Sequence, residues 1–112
     1  IAAVTDGVTL FGDASEHRDN AWLSAILVDD SRAGFTTGEL AAWLAEHDIE
    51  TRPLWKPMHL QPVFAGTQIY GGGVSEGIFA SGLNLPSGST MSDADVERVI
   101  ATIAVFLDRR GC

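Results

Sequence analysis

Apolar and polar positions alternate along this chain with two different periods. Gly7-Val8-Thr9-Leu10-Phe11 is a short β-type run, closed by the turn formers Gly12 and Asp13. After a polar stretch from Ser15 to Asn20, the run Ala21 to Val28 reads as a mostly buried strand ended by Asp29-Asp30. Thr36-Thr37-Gly38-Glu39 has the spacing of a capping box, with Thr36 as N-cap and Glu39 at the third helical position. Leu40, Trp43, Leu44 and His47 then fall at i, i+3, i+4 and i+7, one face of a helix ending near Asp48. Ile49-Glu50-Thr51 is expected as a short strand. Gly71-Gly72-Gly73 is a flexible break before a short helix over Val74 to Ser81, which Gly82 stops as the residue beyond the cap. Leu83-Asn84-Leu85 is a further short strand, followed by the turn Pro86-Ser87-Gly88-Ser89. Ser92 caps the last helix, and Asp93 and Asp95 suit the positive end of its dipole. Val96, Val99, Ile100, Ile103 and Leu107 form its apolar stripe, and Arg109 and Arg110 occupy the end that favours cations. The alternation predicts an α/β fold, a small sandwich of three to four strands with helices on one face of the sheet.

One segment obeys neither period. Thr51 to Phe64 places Arg52, Trp55, Lys56, His59 and Gln61 among three prolines, Pro53, Pro57 and Pro62. Each proline fixes φ, lacks an N–H and pushes the residue before it out of the α region. A regular helix or a central strand is therefore not expected there. A stiff, extended surface segment remains, whose polar heads are held in place. Rigid loops carrying Arg, Trp and His suit anionic ligands. The alternative is a linker whose Trp and Leu plug a core.

Composition narrows the function classes. The 112 residues carry a formal net charge of −8 and a pI near 4.5. Hydrophobic residues make up 46%, enough for one core in one domain. The acidic balance argues against nucleic acid and against an anionic membrane surface as partners. No apolar run approaches the roughly 20 residues of a membrane span. Neither does a charged and then apolar leader open the chain. The first residues, Ile-Ala-Ala-Val, lack Met and suggest a piece of something longer. Cys112 is the single cysteine, so no internal disulfide can form and a reducing, cytoplasmic setting fits.

No complete catalytic apparatus is visible. Lys56 could form an imine only if buried, and on a proline-flanked loop it is expected to stay solvated and charged. A contact to a phosphate or carboxylate suits it better. His17 with Asp19, and His47 between Glu46 and Asp48, do not bring three ligands to one centre, so no metal is expected. Gly71-Gly72-Gly73 before a helix lacks the lysine and the preceding strand of a phosphate loop.

Three linked motifs carry a resemblance. Arg52 to Phe64, "RPLWKPMHLQPVF", is similar to the C-terminal region of the DegT/DnrJ/EryC1/StrS family of pyridoxal phosphate sugar aminotransferases. Within it the segment most resembles the branch that aminates UDP-linked 4-keto sugars for surface and pilin glycans. The second motif is Gly73-Val74-Ser75-Glu76, then Phe79, Gly82-Leu83, and Leu85 to Ser89. The third is Asp93, Asp95 and Arg98-Val99-Ile100. Asn84 departs from the family, where close relatives often have Cys.

The resemblance implies the C-terminal small domain of a fold type I pyridoxal phosphate aminotransferase, spanning residues 1–112. The large domain, with its Schiff-base lysine and bound pyridoxal phosphate, lies outside this sequence, so the fragment alone is expected to be inactive. The implied substrates are glutamate and a nucleotide-linked keto sugar, and the implied full-length assembly is a homodimer. Arg52 would meet the anionic part of the substrate through its planar fork. Lys56 would contact a phosphate or carboxylate. Trp55 and Met58 would shape the sugar or nucleotide pocket. His59 would bond a sugar hydroxyl or stand near the cofactor edge, and Gln61 would support the loop. Asn20 and Trp22 match an Asn-x-Trp pattern that lines the domain cleft. A family relative that dehydrates a sugar with the same cofactor, and a free-standing ligand-binding domain, remain alternatives.

Overall fold

The computed structural model describes residues 5–12 and 22–111. Among them run β1 (Val8–Leu10), β2 (Ser24–Val28), α1 (Asp30–Ala33), α2 (Thr37–Glu46), β3 (Arg52–Pro53), α3 (Val74–Ser81), β4 (Gly82–Leu85) and α4 (Asp93–Arg110). The four strands form one antiparallel sheet in the order β1-β2-β4-β3. Its register sets Ile26 opposite both Leu10 and Leu83, and Asn84 opposite both Ala25 and Arg52. The sheet is thus mixed with helices as expected. The strand expected at Ile49–Thr51 instead lies at Arg52–Pro53. Pro53 tolerates that place because an edge strand leaves one side of its backbone without a ladder partner.

The core fills the space between one sheet face and the helices. Ile26, Leu40, Leu44, Ile103 and Leu107 are each at most 2% exposed. Phe35 meets Phe106 edge-on at 5.1 Å between centroids. The buried stripe of α4 is Val99, Ile103, Phe106 and Leu107, whereas Ile100 is 56% and Val96 44% exposed. That corrects the predicted stripe: Phe106 belongs to it, and Val96 and Ile100 lie on its uncovered flank. The arginines of α4 do more than suit its dipole. Arg109 lies over Trp43 at 4.6 Å, Arg98 donates to the His47 carbonyl, and Arg110 pairs with Glu39 at 2.8 Å. Trp43 Nε1 donates to the Thr102 carbonyl at 3.0 Å, so polar bonds and apolar packing join α2 to α4.

The predicted capping box of Thr36 with Glu39 is formed, and the predicted Ser92 cap is a full box too, because Asp95 accepts in return from the Ser92 amide. At the other end of α2 the Ile49 amide donates to the Leu44 carbonyl, and Asp48 takes a φ of 55°. That left-handed position usually belongs to glycine. α1 escapes the periodic reading because four residues show no period, though Asp29 caps it and Gly34 closes it. Gly82 is not a left-handed cap: its φ is −97° and it opens β4. It must be glycine for another reason, since a Cβ there would lie 2.5 Å from the Ile78 carbonyl oxygen and 2.1 Å from Leu54 Cδ1. Leu54 therefore packs on the sheet face away from α2 and α4, where Gly82 and Asn84 point.

Candidate functional site

The segment from Arg52 to Phe64 is shaped by its prolines. After β3 it turns twice in short 3-10 turns, Met58–Leu60 and Pro62–Phe64, rather than staying extended throughout. Leu54 and Trp55 divide the two readings of this loop between them. Leu54 is 6% exposed and plugs the sheet; Trp55 is 68% exposed and plugs nothing.

Trp55 meets Trp22, itself 67% exposed, with ring centroids 6.0 Å apart and planes 33° from parallel. Both indoles line a cavity of about 610 Å³ along β3 and the end of β4. Arg52, Asn84, Ser87 and Arg98 line it as well. Asp48, Glu50 and Asp95 add three carboxylates to its wall, against two guanidinium groups. Arg52 Nε donates to Glu50 at 2.8 Å, in an ion pair whose two side chains are over 70% exposed. Such a pair contributes little and can open toward a ligand at small cost. The carboxylate of Asp95 is held below its ordinary value, chiefly by the Ser92 hydroxyl and then by the Ser92 amide. It is therefore an anion committed to its cap.

Asn84 is a site residue the sequence reading passed over. Its Nδ2 donates to the Pro53 carbonyl at 3.4 Å, while its Oδ1 is buried and finds no partner among the described residues. A buried acceptor without a donor is uncommon and costs stability. Its only sequence signal was the departure from Cys.

The other candidate residues lie elsewhere on the loop. His59 lines a second cavity of about 340 Å³ with Tyr70, Gly71 to Gly73 and Ser75. Its Nε2 lies 2.6 Å from Glu76 Oε1. Gln61 Nε2 bonds the Lys56 carbonyl at 3.4 Å and the Met58 sulfur at 3.5 Å. Lys56 and Met58 are exposed and line neither cavity. Asn20, His17, Asp19 and Cys112 lie outside the described residues. The structure thus gathers Arg52, Trp55 and Trp22 at one cavity and sets His59 at another.

The structure is a two-layer domain with an open aromatic cavity beside a proline-stiffened loop, and its relatives define its class. The profile of the DegT/DnrJ/EryC1/StrS aminotransferase family matches residues 2–104, and the chain belongs to that family. EpsN of Bacillus subtilis, assigned by its name to the pyridoxal phosphate-dependent aminotransferases, is 37% identical over 88% of this chain and 26% of its own length. GDP-perosamine synthase of Caulobacter vibrioides is 38% identical over 49% of this chain and 15% of its own. The crystal structure of the aminotransferase TlmJ from Streptoalloteichus hindustanus shares the fold, with a TM-score of 0.78 and 21% identity over 98% of this chain and 29% of that one. The chain therefore spans about a quarter or less of the length of the curated relatives.

The residues present do not fit a covalent site for pyridoxal phosphate. Lys56, the sole lysine, stands on an exposed loop away from both cavities.

Proposed function

We propose that this chain is the small, C-terminal domain of a pyridoxal phosphate-dependent aminotransferase that moves an amino group from glutamate to a nucleotide-linked keto sugar. The family match across residues 2–104 carries this reading. The relative named for making GDP-perosamine supports a nucleotide sugar as the acceptor. Binding and covalent attachment of the cofactor fall to a larger domain outside these residues, and the full-length enzyme is a cytoplasmic homodimer. When bound there, the cofactor supplies the electron sink of amino transfer.

This chain's part is to bind and orient the sugar nucleotide. Trp22 and Trp55 offer flat apolar faces to a base or a sugar ring. Arg52 leaves Glu50 and meets a phosphate with its fork. Asn84 accepts from a donor on the ligand, which would satisfy its orphaned oxygen. Lys56 and Met58 extend the contact along the loop, and Gln61 braces it. Asn20 is expected at the same cleft.

The test separates the two half-reactions of the holoenzyme in single turnovers. Arg52→Ala should lower kcat/KM for a UDP-linked 4-keto hexose by roughly tenfold to a hundredfold, the effect of losing a charge-assisted bond. The glutamate half-reaction should be unchanged. Arg52→Lys should recover only part, because an ammonium keeps the charge without the fork. Equal losses in both halves would move Arg52 to the cofactor, and no loss in either would reduce the loop to packing.

A further inference from the structure

His59 and Glu76 stand seventeen residues apart on separate elements, yet their side chains meet at 2.6 Å. His59 sits in the 3-10 turn that follows Pro57, and Glu76 in the first turn of α3, beyond the three glycines. The His59 side chain is 18% exposed and that of Glu76 50%. A carboxylate can only accept, so the nitrogen facing it, Nε2, must carry the hydrogen. Among the described residues this is the one side-chain bond of the imidazole, which leaves Nδ1 unused. In the neutral ring Nδ1 is then an acceptor, and its complement is a donor such as a hydroxyl. An imidazole whose far nitrogen is fixed by a carboxylate is a ring with its tautomer chosen.

We propose that Glu76 is a positioning residue that holds the Nε2 hydrogen of His59, so that Nδ1 accepts a hydrogen bond from a hydroxyl of the sugar substrate. This rests on the reading of the enzyme as a sugar aminotransferase. A rival role exists for the same contact: Glu76 could merely tie the loop to α3. The two roles differ in what a donor other than imidazole can do at position 59. A brace is kept by any donor toward Glu76, whereas the sugar contact needs the Nδ1 acceptor.

The experiment is a double-mutant cycle in the holoenzyme, read as single-turnover kcat/KM with a UDP-linked 4-keto hexose and, separately, with glutamate. His59→Ala and Glu76→Ala should each lower the sugar value by about tenfold or more and leave the glutamate value within about twofold. Adding Glu76→Ala to His59→Ala should cost no more than about a further twofold. Glu76→Gln, which keeps an acceptor of the same length, should recover most of the sugar activity. Ring nitrogen shifts of histidine-labelled parent enzyme, recorded where the ring is neutral, should show the hydrogen on Nε2. Hydrogen on Nδ1 overturns the inference whatever the variants do, including if Glu76→Ala fails to fold. Full losses that multiply in the double variant overturn it, because Glu76 then acts without His59. A His59→Lys variant keeps a donor toward Glu76 but has no acceptor, and it overturns the inference in favour of the brace if it retains the sugar value. An active Glu76→Ala beside a damaged His59→Ala overturns it while leaving the sugar-site reading intact. If neither substitution touches either half-reaction, His59 leaves the sugar site and the inference falls with it, whereas Arg52 tests the wider reading on its own.

Discussion

The helix-covered face of the sheet and the open surface around the proline-rich loop solve different problems with similar residues. On the first face, Leu40, Leu44 and Ile103 are at most 2% exposed, locked between α2, α4 and the strands. On the open surface, Trp22, Trp55 and Met58 are 60–68% exposed. Burying an aromatic side chain is worth a few kcal/mol, so exposing two indoles side by side forgoes stabilisation that the fold could have had. A patch of that kind marks a surface meant to be covered by something else. The first face holds the domain together, and the open surface beside the Arg52 cavity is the one proposed to meet a ligand.

Removing side chains from the first face should break the fold. Ile103→Ala is expected to lower the unfolding free energy by about 2–5 kcal/mol, the range for truncating a buried aliphatic chain. Ile100→Ala, three residues earlier on the same helix but 56% exposed, should cost less than about 1 kcal/mol. Urea midpoints of the two variants against the parent check this. Similar losses in both would mean that α4 is rotated from the orientation described.

What the sequence revealed follows how local each determinant is. The capping box at Thr36 and the Ser92 cap were legible because their partners lie within four residues. The apolar stripe of α4 was legible in period but not in phase, because Phe106 is chosen by Phe35 across the core rather than by its own helix. Gly82 stood out as a glycine, but its causes are the Ile78 carbonyl one helical turn back and Leu54, nearly thirty residues away. The same holds at the site. Arg52 and Trp55 were visible as an unusual loop, while the partnership of Trp55 with Trp22 depends on how the loop folds back beside the sheet. The orphaned oxygen of Asn84 and the bond from His59 to Glu76 are products of tertiary placement, and no spacing rule announces them.

A smaller effect on the first face comes from acid. Glu39 is held down to about 2 from an ordinary 4.5, first by the Thr36 amide and then by the Arg110 side chain and the Thr36 hydroxyl. A carboxylate depressed in the folded state contributes stability that is whole above about pH 4.5 and fades as pH falls toward 2. Asp95 and Asp29 are lowered as well, so three caps weaken in the acid range. Carboxyl titration by NMR should find Glu39 still ionised near pH 3, and Arg110→Ala should raise its midpoint only part of the way toward 4.5, because the Thr36 amide and hydroxyl remain. A parent midpoint at the ordinary value would remove the cap and its Arg110 partner from any account of how α2 and α4 are joined.

The smallest stability effect should come from the largest side chain. Trp55→Ala removes an indole, yet 68% of that residue faces solvent and its ring contact is a tilted one at 6.0 Å. Its cost should stay within about 1 kcal/mol, the scale of a partly exposed aromatic pair. Leu54→Ala, one residue earlier, empties the space above Gly82 and should cost about 2–5 kcal/mol. Sugar turnover by the holoenzyme should rank the pair differently. Trp55→Ala should raise KM for the sugar nucleotide with little change in the midpoint of unfolding, whereas Leu54→Ala should act mainly through lost folded enzyme. If Trp55→Ala destabilises as much as Leu54→Ala, its indole is a structural plug and the open surface around it loses its claim to bind a ligand.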